Sequence, residues 1–97
     1  MEMKLVVMIV DESKKEELEV VLRRSGVAGY TELPGAVGVG ATGPRLGSRA
    51  FPKTSAVIFS VLSEPALTQL RQEIREHCTE CGERLKLLVW DVDEVAL

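Results

Sequence analysis

Ninety-seven residues suffice for one domain with one hydrophobic core, so residues 1–97 are read as a single unit. The formal charge is −3, with 12 Lys and Arg against 15 Asp and Glu, which argues against a general nucleic-acid binder, because such domains carry a basic excess that neutralises phosphates. One histidine leaves little for a three-imidazole metal centre or a catalytic triad, and two cysteines do not make the disulfide framework of a secreted miniprotein.

Lys4 to Val10 (KLVVMIV) is a continuous β-branched and apolar run, the pattern of a strand buried in the middle of a sheet. Its apolar stretch is far shorter than a bilayer crossing, so no direct membrane insertion and a cytoplasmic location are expected. Asp11 and Glu12 end the run, and as charged residues at a strand end they are read as solvated. Ser13 stands three residues before Glu16 in a capping-box pattern, and Leu18, Val21 and Leu22 recur at helical spacing until Gly26 offers a stop. Residues 27–37 predict a second strand, with Pro34 and Gly35 marking a bulge or an edge.

The segment that follows, GVGATGPRLGSRAFPKT at residues 38–54, gathers glycines and cations in an otherwise acidic chain. Gly38, Gly40, Gly43 and Gly47 free the backbone to expose N–H groups, and Ser48, Arg49, Arg45 and Lys53 supply a hydroxyl and positive charge, so the stretch is read as a loop that wraps a small anion. GVGATG also fits G-x-G-x-x-G, but Pro44, Gly47 and Pro52 exclude the helix that a dinucleotide fingerprint requires. The other reading of the loop is a mobile surface connection kept in solution by its charges.

Residues 55–62 (SAVIFSVL) predict a third strand. Ser63 caps a helix from about Glu64 to about Thr79, whose Leu67, Leu70, Ile74, Cys78 and Cys81 form a stripe at steps of three and four. Gly82 breaks it, and Leu85 to Val92 (LKLLVWDV) gives a fourth strand, in which Trp90 belongs to the core or to a subunit interface. The order βαββαβ predicts an α+β, ferredoxin-like sandwich: a four-stranded antiparallel sheet with two helices on one face. Such apolar strands need cover on the other face as well, which predicts a homo-oligomer.

Cys78-Thr79-Glu80-Cys81 is a CxxC, whose thiolates serve a redox disulfide or half a zinc site, with His77 as a third candidate ligand. Adjacent helical residues point about 100° apart, so a metal site would need an unwound helix end or a second subunit. Both cysteines also fit the core stripe as small apolar residues.

Met3–Val10 (MKLVVMIV), SGVAGYTE at residues 25–32 and LVWDVDEV at residues 88–95 resemble the PII-type signal-transduction family, including its divergent PII-like branch. The resemblance implies a trimer whose sheets face the centre, with ligands in the clefts between subunits and residues 38–54 in the place of the regulatory loop. It implies ATP, ADP, AMP or another anionic metabolite as ligand, with no cofactor fixed, and a regulated transporter or enzyme as partner. This loop has no tyrosine, which argues against the family's tyrosine uridylylation, and the family's glycine-lysine segment before the last strand is replaced by HCTECGERLK at residues 77–86. Gly82, Arg84 and Lys86 are the phosphate contacts left there. The reading is a non-enzymatic sensor; the alternatives are a CutA-like metal-binding trimer and a redox-responsive protein using the CxxC.

Overall fold

The computed structural model describes residues 2–78 and 85–97. Strand β1 (Glu2–Asp11) leads through a 3-10 turn (Glu12–Lys14) into helix α1 (Lys15–Arg24). Strand β2 (Thr31–Ala36) precedes two short strands, β3 (Gly38–Gly40) and β4 (Gly43–Arg45), and the chain closes with β5 (Ser55–Leu62), α2 (Glu64–His77) and β6 (Leu85–Asp93). The main sheet has four strands in the order β2-β5-β1-β6, and its neighbouring strands are all antiparallel. This is the ferredoxin-like α+β sandwich that the sequence predicts.

The two most apolar strands take the two central places, where both ladders are satisfied and both faces can be covered. Alternate residues of β1 and β5 point to the helices: Val6, Met8 and Val10 with Ala56, Ile58 and Leu62 pack against Leu18, Val21 and Leu22 of α1 and Leu67 and Leu70 of α2. Each of these side chains other than Ala56 contributes about 1.5–3 kcal/mol through removal from water. Cys78 closes the same stripe and is only 3% exposed.

The register places Leu5, Val7 and Ile9 of β1 beside Val57, Phe59 and Val61 of β5 and beside Lys86, Leu88 and Trp90 of β6, on the face away from the helices. Among the described residues that face has no covering layer, and Trp90 is half exposed while Leu33, Val61 and Leu88 are also exposed. As expected, β2 is an edge strand whose register shifts between Leu33 and Ala36, around Pro34 and Gly35. No helix among the described residues is long and apolar enough to cross a membrane.

Two local features differ from the sequence expectation. Ser13 does not cap α1: Asp11 caps the preceding 3-10 turn, its side chain accepting from the Ser13 N–H, and α1 begins at Lys15. Residues 38–45, expected to be part of an irregular loop, form a β3–β4 hairpin in which Gly38 pairs with Arg45 and Gly40 with Gly43. Ser63 caps α2 as expected, accepting from the Ala66 N–H at 3.3 Å.

Candidate functional site

The junction of β1 and the 3-10 turn, Asp11 and Glu12, holds the loop at three points. The Glu12 N–H donates to the Thr54 carbonyl at 3.1 Å, at the loop exit. At the entrance the Glu12 carboxylate accepts from the Gly35 N–H, and at the hairpin Asp11 Oδ1 accepts from Arg45 Nε at 3.2 Å. Asp11 and Arg45 have side chains only 5% and 14% exposed, so the pair is shielded from solvent. Asp11 Oδ2 accepts from the Ser13 N–H at 3.1 Å and from its hydroxyl, while Arg45 Nη1 donates to Thr42 Oγ1 at 2.8 Å. Burial pushes the Asp11 carboxyl up, but the Ser13 hydrogen bonds and the charges of Arg45 and Lys53 outweigh it and hold the group below the usual carboxylate range.

Between the hairpin and the open sheet face lies a cavity of about 440 Å³. Ile9, Val57, Val37 and Val39 give it apolar walls, and Asp11, Thr42, Arg45 and Lys86 are among the polar groups lining it. A mostly apolar cavity with a few convergent polar groups is the ordinary form of a small-molecule site. Lys86 is brought here because β6 pairs with β1 so that Lys86 lies opposite Ile9.

Of the candidates read from the sequence, Gly38, Gly40, Arg45 and Lys86 line this cavity, whereas Gly43, Gly47, Ser48, Arg49 and Lys53 do not. The second half of the loop is folded on itself: Leu46 and Ser48 N–H groups both donate to the Phe51 carbonyl, and the Phe51 N–H donates to Ser48 Oγ at 3.1 Å. Gly47 N–H donates to the Lys53 carbonyl at 3.1 Å, so this amide serves the loop rather than a ligand. Gly82, Arg84 and Cys81 lie outside the described residues.

Sequence reasoning missed Asp11, which it took for a solvated strand end, and Thr42. The solvated reading fails because the ion-pair partner, Arg45, arrives from 34 residues downstream. The one available signal was that Arg45 has no acidic neighbour within its own loop.

At the end of α2, His77 Nε2 lies 3.3 Å from Glu73 Oε2, 3.7 Å from Glu76 Oε2 and 3.4 Å from an Arg24 Nη2. Glu73, Glu76 and His77 are the sort of group that can hold a cation, but the Arg24 guanidinium already offers them positive charge. Cys78 is disulfide-bonded and therefore presents no thiolate to a metal. Neither His77 nor Cys78 lines the cavity under the hairpin.

The family model of nitrogen regulatory protein P-II matches residues 3–97. No curated protein matches the chain. Among solved structures, CPII, a nitrogen regulatory PII-like protein from Thiomonas intermedia K12 bound to ADP, AMP and bicarbonate, superposes with a TM-score of 0.79 at 20% identity, over 100% of this chain and 97% of that one. The same protein bound to ADP and bicarbonate gives 0.77 at 22% identity, covering 95% and 87% of the two chains. Its apo form gives 0.71 at 20% identity, covering 95% and 90%.

Proposed function

Because the chain belongs to the nitrogen regulatory protein P-II family, we propose that it is a non-enzymatic, trimeric sensor that binds a small anionic ligand in clefts between subunits and reports occupancy to a partner protein through residues 38–54. The observation that carries this reading is the cavity beneath the β3–β4 hairpin, where Arg45 and Lys86 stand against apolar walls at the edge of an uncovered sheet face. CPII binds adenine nucleotides and bicarbonate, which makes ADP, AMP, ATP and bicarbonate the first ligands to test here. Trimer formation buries Leu5, Val7, Phe59, Val61, Leu88 and Trp90 and closes the open side of the cavity. An anion that binds Arg45 changes the balance of charge that clips the hairpin to β1, and the altered hairpin is what a transporter or an enzyme reads.

Light scattering tests the assembly, with a trimer expected at micromolar concentration. Calorimetric titration with each nucleotide and with bicarbonate tests the site; a parent protein that binds none of them sinks the sensor reading. Saturation at a hundredfold excess over Kd should raise apparent stability by about 2.7 kcal/mol. A redox-responsive role is a second reading, favoured by the disulfide at Cys78, and it requires that reduction with dithiothreitol change ligand affinity.

A further inference from the structure

A carboxylate in a cavity built for an anion repels what the cavity is meant to hold, and Asp11 is such a carboxylate. It is not free to swing away. Its two oxygens are fixed on opposite sides, Oδ2 by the Ser13 N–H and hydroxyl and Oδ1 by Arg45 Nε. Arg45 is fixed in turn by Thr42, so two of the five guanidinium N–H donors are spent on holding its orientation and three are left for a ligand. The arrangement therefore offers an incoming molecule several donors and, directly beside them, an ionised oxygen that can only accept.

A planar oxyanion without a hydrogen of its own satisfies the guanidinium but turns lone pairs toward Asp11 Oδ1. One that carries a hydroxyl accepts from Arg45 and donates to Asp11, leaving neither partner unmatched. We propose that Asp11 is a specificity-determining residue: it orients Arg45 and accepts the hydroxyl proton of the bound oxyanion, so that the cavity selects hydrogencarbonate over an isosteric anion that has no proton. This rests on the anion-binding reading of the cavity and names the chemistry it prefers. Lys53 and Lys86 add positive charge around the site, which raises affinity for either anion and does not discriminate between them.

Nitrate is the matched probe, planar and singly charged like hydrogencarbonate but with no O–H. The two are titrated calorimetrically at mildly alkaline pH, with ADP in excess, into the parent protein, Asp11→Asn and Arg45→Ala. A hydrogen bond to a charged group predicts that the parent prefers hydrogencarbonate by roughly tenfold or more. In Asp11→Asn the preference should fall to about threefold or less, chiefly because nitrate gains, since the amide can donate to it. Arg45→Ala should weaken both anions together. A parent that binds both equally well, or an Asp11→Asn protein that keeps the parent's preference, overturns this proposal while leaving the anion site standing. A parent that binds neither overturns the anion site and this proposal with it. Should Asp11→Asn fail to fold, Asp11→Glu keeps the charge but moves the accepting oxygen by a methylene away from Arg45 and Ser13, and an unchanged preference in that variant overturns the proposal equally.

Discussion

The two halves of the segment between β2 and β5 are held by different physics. Residues 35–45 are tied to the end of β1 by charged groups: the Asp11–Arg45 ion pair and the Glu12 carboxylate on the Gly35 N–H. Residues 46–53 are held by short-range neutral hydrogen bonds among Leu46, Gly47, Ser48, Phe51 and Lys53, and their side chains are mostly exposed. The first half forms one wall of the cavity; the second presents Arg49 and Lys53 to solvent. The sensor reading proposed above would assign the positioned half to the ligand and the accessible half to a partner.

The largest expected effect comes from cutting the charged tether. Asp11→Ala removes the acceptor of both Arg45 and Ser13 and leaves a mostly buried guanidinium without its counter-charge, for a loss of about 3 kcal/mol in denaturant unfolding. Amide hydrogen exchange should quicken at Gly38, Val39 and Arg45 and stay unchanged at Ser48 and Phe51. Equal quickening in both halves would mean that the segment moves as one unit.

Next comes the neutral half. Gly47 has φ +62°, and a Cβ there would lie 3.0 Å from Thr54 Cγ2, so Gly47→Ala meets both an unfavourable backbone region and a tight contact. A loss of about 1–2 kcal/mol is expected, with the hairpin and the cavity undisturbed. Gly43, at φ +106° with open space around its Cβ position, should be strained by backbone conformation alone. An exchange pattern in which Gly47→Ala loosens β3 would erase the boundary between the halves.

Much of the fold was legible because it rests on local pattern. KLVVMIV and SAVIFSVL became the two central strands, Pro34-Gly35 became the edge irregularity, and the Leu67-Leu70-Ile74-Cys78 stripe packs on the core. The hairpin was not legible, since GVG and GPR have low strand propensity and pair through the turn between them rather than by preference. The site was half legible for the same reason. Loop glycines and cations stand out by composition and Lys86 through the family resemblance, whereas the carboxylate that organises Arg45 is brought to it only by the fold, which joins residues far apart in the sequence, as the β1–β6 register also does for Lys86 and Ile9.

Acidity offers a smaller and more selective probe. Asp11 titrates below the ordinary 3.8, so the stability it supplies is present above that value and is lost as pH falls through its lower folded pKa. Glu32, beside Lys15 at 3.8 Å, behaves oppositely: burial and the Glu19 carboxylate push it above 4.5. Its favourable contribution is present below 4.5 and disappears as pH rises through the raised value, so Glu32→Gln should be slightly more stable than the parent at neutral pH and equal to it in acid. Thermal melts across that range decide the matter, and a parent and variant that run parallel would show that Glu32 is indifferent to its neighbours. Ser48 and Phe51 form neutral hydrogen bonds, so their exchange rates should carry no pH dependence beyond the chemistry of exchange itself.

The smallest effect is expected at Arg49, and it is the one that separates a surface charge from a site residue. Arg49 is exposed, has no ion-pair partner among the described residues, and does not line the cavity. Removing an exposed cation alters stability by less than about 0.5 kcal/mol, and salt screens its reach into the cavity beyond roughly 10 Å at moderate ionic strength. Arg49→Ala should therefore leave anion affinity within about twofold of the parent and move it less still at high salt. Arg45→Ala, by contrast, should cost about 1.5–3 kcal/mol of binding at any salt concentration, through loss of charge-assisted hydrogen bonds. If the two variants lose affinity equally in calorimetric titration with ADP and bicarbonate, the tip of the loop folds into the cavity when ligand binds. Positioning by Asp11 would then govern only the empty state.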